Sequence, residues 1–252
     1  MGFFKKATYS DRNEKERFEL NIQGLQKLTL LDFPGTVACT VFTGGCNFRC
    51  PFCHNSSFIT DDDQVDLITR IETSEVIAFL KKRQGILDGV CISGGEPLMQ
   101  PDLGEFIYEV KNLGYRVKVD TNGSFSEKLK GLVRSGLVDY VAMDIKNSPE
   151  HYAETIGHKS YDLANIRESV AFLMERGIEY EFRTTVVREL HTLEDFDAIG
   201  RWIQGAERYF LQAFVDSGDI LGQNLHGYTK GEMETAASVV REFIPCVELR
   251  GI

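Results

Sequence analysis

The sequence predicts an α/β fold, with one layer of parallel strands covered on the outside by helices. Three observations point to it. Short apolar runs rich in β-branched residues alternate, six times, with stretches whose apolar residues recur at helical spacing. Glycines close several of the helical stretches, as at Gly114, Gly136 and Gly177. Polar residues stand at the ends of successive strand-like runs, where parallel α/β folds gather their chemistry.

The elements follow in order. Residues 1–20 are charge-rich and are read as an N-terminal arm, with a short edge strand as the alternative. No Pro/Gly/Ser linker divides the rest, so residues 21–252 are expected to form a single domain. The run TVACTVF (36–42) reads as a buried strand. A helix near 73–83 follows, capped by Thr73 or Ser74, with Val76, Ile77 and Leu80 as its buried face. GVCIS (89–93) is a strand. Pro101 and Asp102 then open a helix striped by Leu103, Phe106, Ile107, Val110 and Leu113. YRVKVD (115–120) alternates as a strand, and a helix at 126–135 follows it. VDYVAMDI (138–145) is a strand, and Leu163, Ile166, Val170, Leu173 and Met174 stripe the next helix. IEYEFRTTVV (178–187), a helix at 192–203, RYFLQAF (208–214) and a helix at 230–243 complete the series. These six β–α units imply right-handed crossovers. An open sheet and a curved partial barrel share this periodicity.

Bulk composition excludes several classes. With 38 acidic against 28 basic residues the net charge is −10, so the surface repels phosphate backbones and nucleic-acid binding is not expected. No run approaches the roughly 18 apolar residues of a membrane span. The start, MGFFKK, lacks the apolar segment of a signal peptide, and Lys6 stands where a myristoylation signal needs Ser or Thr. A cytoplasmic protein without membrane contact is expected, and its six cysteines suit metal or redox chemistry better than disulfides.

Three of those cysteines fall within eight residues. In TGGCNFRCPFCHN (43–55), Cys46, Cys50 and Cys53 have the spacing C-x3-C-x2-C, just after the first strand. Three thiolates hold three corners of a cubane iron–sulfur cluster and leave the fourth iron open to a substrate, whereas electron-transfer clusters use four cysteines. The alternative is a zinc site of the three cysteines and His54. Adjacency of Cys53 and His54 makes joint tetrahedral ligation awkward. Cys39, Cys91 and Cys246 are expected to be small apolar fillers.

At these residues the chain resembles the radical S-adenosylmethionine (SAM) enzymes. C-x3-C-x2-C with Phe52 before the last cysteine is their signature, and SGGEP (93–97), DTNG (120–123), MDIK (143–146) and the order of the β–α units also fit. The resemblance implies a partial (β/α)6 barrel of parallel strands, one [4Fe-4S] cluster on Cys46, Cys50 and Cys53, and SAM as cosubstrate. It is strongest to the glycyl-radical enzyme activating enzymes, and the stretch 22–55 is most similar to activators of anaerobic ribonucleoside-triphosphate reductase.

That resemblance also implies site residues. Gly94, Gly95 and Glu96 would lie along the methionine end of SAM. Asp120, Thr121, Asp144 and Lys146 would line its site, with Lys146 facing a carboxylate. Asp120 and Asp144 would also help bind a monovalent cation. His54 and Asn55 would border SAM beside Phe52. Arg183 needs a partner for its charge, either the SAM carboxylate or an acid such as Glu181. Gln212 stands where the pyruvate formate-lyase activator has His. The implied partners are a glycyl-radical enzyme as protein substrate and reduced flavodoxin or ferredoxin as electron donor. No ferredoxin-like insert with further cysteine motifs is present in the chain. The alternatives are a radical SAM enzyme acting on a small molecule, and a zinc-stabilised binding module. A lateral groove near 22–35 and the segment after Gln212 is expected to admit the substrate.

Overall fold

The computed structural model describes residues 18–59, 70–175, 177–216, 218 and 220–252. Most of the predicted N-terminal arm, residues 1–17, lies outside them. Its last residue, Leu20, is fully buried, and its backbone N–H donates to Thr73 Oγ1 at 3.0 Å.

Eight strands form one sheet: β1 (Ile22–Thr29), β2 (Ala38–Thr43), β3 (Gly89–Gly94), β4 (Arg116–Thr121), β5 (Tyr140–Asp144), β6 (Glu179–Val186), β7 (Tyr209–Ala213) and β8 (Val247–Arg250). Their spatial order is their sequence order. β1 runs antiparallel to β2, and every later neighbour is parallel. The helices are α1 (Thr73–Arg83), α2 (Leu103–Asn112), α3 (Ser126–Arg134), the single turn α4 (Tyr152–Thr155), α5 (Ala164–Met174), α6 (Leu193–Trp202) and α7 (Lys230–Val240). The six predicted β–α units run from β2 to α7. Among the described residues β1 and β8 do not pair with each other, so the wall is an open, partial barrel.

β1 and β8 are the strands that periodicity missed. β1 carries Gly24, two register shifts and an exposed stretch in its middle, so it shows no clean alternation. β8 is four residues long, with only Val247 buried.

Strand alternation sorts side chains onto two faces. Cys39, Val41, Val90, Ile92, Val117, Val119, Val141 and Met143 are fully buried in the layer shared with the helices. The residues between them point the other way, onto the concave face. Strand register aligns Thr40, Cys91, Lys118 and Tyr140 across that face, and Asp144 with Arg183 above them. The apolar layer drives folding, which leaves the concave face free to carry charge.

Candidate functional site

The cysteine loop leaves the carboxyl end of β2 and is held from several sides. The Gly44 N–H donates to Asn21 O at 2.8 Å, and Gln100 Nε2 donates to Gly44 O at 2.8 Å. Gly45 turns the chain at φ +82°, and its carbonyl accepts from the Glu96 N–H at 2.8 Å. Here the loop after β3 lies directly against the cysteine loop: a Cβ on Gly95 would stand 2.0 Å from Gly45 O. Gly94, at φ +117°, has the same crowding against Thr43. These glycines therefore exist to let two backbones touch. Further along, the Arg49 N–H donates to Ile156 O at 2.9 Å, and the Gly222 N–H to Pro51 O at 2.7 Å. Asn122 Nδ2 donates to Asn47 Oδ1 at 2.9 Å, and Asn47 Nδ2 to Ser124 Oγ at 3.0 Å.

Cys46, Cys50 and Cys53 border one open-mouthed cavity, with about 810 Å³ of empty space that includes open solvent. Burial pushes the Cys46 thiol up to about 11 and the Cys50 thiol up to about 12. The Phe48 N–H points at Cys46 Sγ from 3.4 Å. Among the described residues no three His, Cys, Asp or Glu side chains are gathered as ligands of a single metal ion.

Of the sequence-predicted residues, Phe52, His54, Asn55, Gly94, Gly95, Asp120, Thr121, Asp144, Lys146 and Arg183 also border this cavity. Asn55 Nδ2 donates to Gly94 O at 3.0 Å, which ties the cysteine loop to the glycine loop again. The His54 ring sits 5.4 Å from that of Phe214, and burial lowers its pKa. Glu96 is different. It lies fully buried behind the glycine loop and accepts from the Leu98 N–H at 3.0 Å, Thr121 Oγ1 at 2.8 Å and the Asn122 N–H at 2.7 Å. Its geometry is that of a brace between the SGGEP and DTNG loops. Gln212 is not among the lining residues; its neighbour across the strand pair, Thr185, is.

Arg183 forms the ion pair with an acid that the sequence allowed, but with acids other than Glu181. Glu181 is engaged elsewhere, by Arg250 at 2.9 and 3.0 Å and by Tyr140 Oη at 2.9 Å. Arg183 instead reaches Asp144 Oδ1 through Nε at 2.9 Å and Asp120 Oδ2 through Nη1 at 3.2 Å. Lys146 Nζ donates to Asp144 Oδ2 at 2.9 Å. Lys118 Nζ donates to Asp120 Oδ1 from beneath the floor. Despite burial, Arg183 and Lys146 hold the Asp144 carboxyl down at about 2, and Arg183 and Lys118 hold Asp120 below the usual carboxylate range.

Sequence reasoning missed Phe48, Ile59, Ser93, Asn122 and Thr185 as lining residues, and Lys118 under the floor. Lys118 had a signal: it precedes Asp120 by two residues on a strand, so it shares that residue's face. Cys91 also differs from expectation. Cys39 is buried among apolar side chains, but Cys91 Sγ lies 3.8 Å from both Lys118 Nζ and Asp120 Oδ1.

Residues 40–203 match the radical SAM superfamily, and the chain belongs to it. Over 238 residues it is 29% identical to a Methanocaldococcus jannaschii protein that carries the name glycyl-radical enzyme activating enzyme, covering 92% of this chain and 96% of that one. It is 31% identical over 140 residues to the pyruvate formate-lyase-activating enzyme of Listeria monocytogenes, covering 52% of this chain and 55% of that one. The crystal structure of Streptococcus suis SuiB bound to S-adenosylmethionine shares the fold, with a TM-score of 0.64 at 12% identity over 82% of this chain and 48% of that one. The family implies a [4Fe-4S] cluster and SAM. Three thiols around one cavity, with a glycine loop and a charged floor beside them, fit both groups. No helix among the described residues is long and apolar enough to cross a membrane.

Proposed function

We propose that this chain activates a glycyl-radical enzyme by removing a hydrogen atom from a glycine Cα of that partner. The observation that carries the reading is the cavity itself: three cysteines, an open glycine loop and a charged floor meet at the carboxyl ends of the strands. Near full-length similarity to a protein named as such an activator supports it. When bound, the cluster and SAM together supply a 5′-deoxyadenosyl radical, chemistry that belongs to the cofactors.

The chain's own residues do the rest. Cys46, Cys50 and Cys53 would hold the cluster as thiolates, and burial, which raises the Cys46 and Cys50 thiols to about 11 and about 12, would make their deprotonation depend on the metal. The backbone of Gly94 and Gly95, held against the cysteine loop, would receive the methionine end of SAM. Lys146 and Arg183 offer their charges to its carboxylate. Thr121, Asn55, Phe52 and His54 would border it. Glu96 fixes the two loops on which these groups sit.

Among the described residues β1 and β8 are unpaired edges, and a partner's peptide loop would enter between them. The partner that the stretch 22–55 suggests is anaerobic ribonucleoside-triphosphate reductase, with reduced flavodoxin or ferredoxin supplying the electron. Mixing the reduced, cluster-loaded protein with SAM and candidate glycyl-radical enzymes tests this. A glycyl-radical signal by electron paramagnetic resonance, absent without SAM, is expected. SAM cleavage without that signal on any partner, but driven by a metabolite, contradicts it.

A further inference from the structure

Lys118 lies two residues before Asp120 on β4, so both side chains leave the strand on the concave face. Its side chain is 1% exposed and sits beneath the cavity floor rather than in it. A buried ammonium is tolerated only when it is paired and hydrogen-bonded. Its partners are Asp120 Oδ1 and, at 3.8 Å, Cys91 Sγ.

The consequence appears when the carboxylate oxygens are followed one by one. Asp120 Oδ1 accepts from Lys118, and Asp120 Oδ2 from Arg183 and from Ser93 Oγ at 3.1 Å. Asp144 Oδ1 accepts from Arg183, and Asp144 Oδ2 from Lys146. Every oxygen of the two aspartates is thus met by a cationic donor of the chain. A bound cation needs several oxygens turned toward one common point, and here each is turned toward its own N–H. The monovalent cation expected between Asp120 and Asp144 does not fit this donor set. Three positive and two negative groups also leave the floor with one positive charge, which favours an anion.

We propose that Lys118, together with Arg183, is the built-in cation of the SAM site and takes the place of a bound metal ion. Lys118 does not touch the cavity. It is a positioning residue: it fixes Asp120, which with Asp144 fixes Arg183, so that the guanidinium faces the SAM carboxylate. Burial pulls the Lys118 pKa down, but Asp120 pushes it further up, and the group stays charged. The assignment rests on the reading of this cavity as the SAM site.

The test is SAM binding to the cluster-loaded protein at equal ionic strength in potassium, sodium and tetramethylammonium chloride. Wild-type affinity is expected to agree across the three salts within about twofold, a difference well under 1 kcal/mol. Lys118→Met is expected to bind SAM roughly tenfold more weakly in tetramethylammonium, the size of one charge-assisted contact, and to recover in potassium or sodium, which can then occupy the freed oxygen. Wild-type affinity that rises tenfold or more with potassium or sodium overturns the assignment, as does a Lys118→Met protein that matches wild type in every salt. If the variant does not fold, the wild-type series decides alone. Absence of SAM binding in all three salts overturns the SAM reading and this assignment with it, whereas binding that tracks the metal cation overturns only the assignment.

Discussion

Arg183 spans the two aspartates of the cavity floor, with Nε 2.9 Å from Asp144 Oδ1 and Nη1 3.2 Å from Asp120 Oδ2. A single guanidinium thereby joins the ends of β4, β5 and β6. Its fork geometry is what makes that possible; a lysine would reach one carboxylate and leave the other.

Arg183→Lys is therefore expected to behave unlike a conservative change. SAM affinity should fall roughly tenfold to a hundredfold, and stability by about 1–2 kcal/mol, because one aspartate loses its shared partner in a largely buried network. Lys146→Ala should show the same pattern, with Asp144 left to Arg183 alone. Isothermal titration with SAM and denaturant unfolding measure the two effects separately. Unchanged affinity in both variants would remove this pair from the SAM site.

Ligand identity is checked by iron and sulfide analysis after anaerobic reconstitution. About four irons and four sulfides per chain are expected, as for one cubane cluster. Cys46→Ala, Cys50→Ala and Cys53→Ala should each lose the cluster, while Cys39→Ala and Cys246→Ala retain it. One zinc without sulfide would support the binding-module alternative instead.

Gly95→Ala probes the contact between the loops. Its Cβ would stand 2.0 Å from Gly45 O, and both partners in that clash are backbone. The loops must part, at a cost of about 2–4 kcal/mol. Because Gly45 adjoins Cys46, iron retention should fall together with the unfolding midpoint. A variant with normal midpoint and full iron content would show that the loops do not need to touch.

Much of this was legible in the sequence, and the boundary has physical causes. From β2 to α7 every element except the single turn α4 was readable, because each buries an apolar stripe. β1 and β8 were not, because edge strands bury little and Gly24 breaks the alternation of β1. The cysteines and the glycine loop stood out by residue type and spacing. Arg183 was visible as a charge in need of a partner, but its partner was not, since register across three strands decides it. Lys118 looked like one polar position of a half-exposed strand. Gln212 was placed at the site by resemblance, yet its neighbour across the strand pair, Thr185, lines the cavity and Gln212 does not.

Glu96 gives a pH dependence with a definite sign. Burial pushes its carboxyl from 4.5 up to about 7, against three donors that favour the charged form. A folded-state pKa above the unfolded one means the contribution is complete below about pH 4.3 and is lost as pH rises through about 7. Over that window wild type should lose on the order of 3 kcal/mol relative to a chain without this group. Glu96→Gln, whatever its absolute stability, should lack that slope. Parallel stability curves for the two proteins between pH 5 and 8 would show that the brace is ionised throughout.

The most direct measurement follows the hydrogen atom. A partner glycyl-radical enzyme, or a peptide spanning its radical glycine, is deuterated at that glycine Cα and mixed with the reduced protein and SAM. Deuterium in the released 5′-deoxyadenosine is the expected result. Deuterium that arrives only from a labelled metabolite, and never from any partner protein or peptide, would contradict glycyl-radical activation.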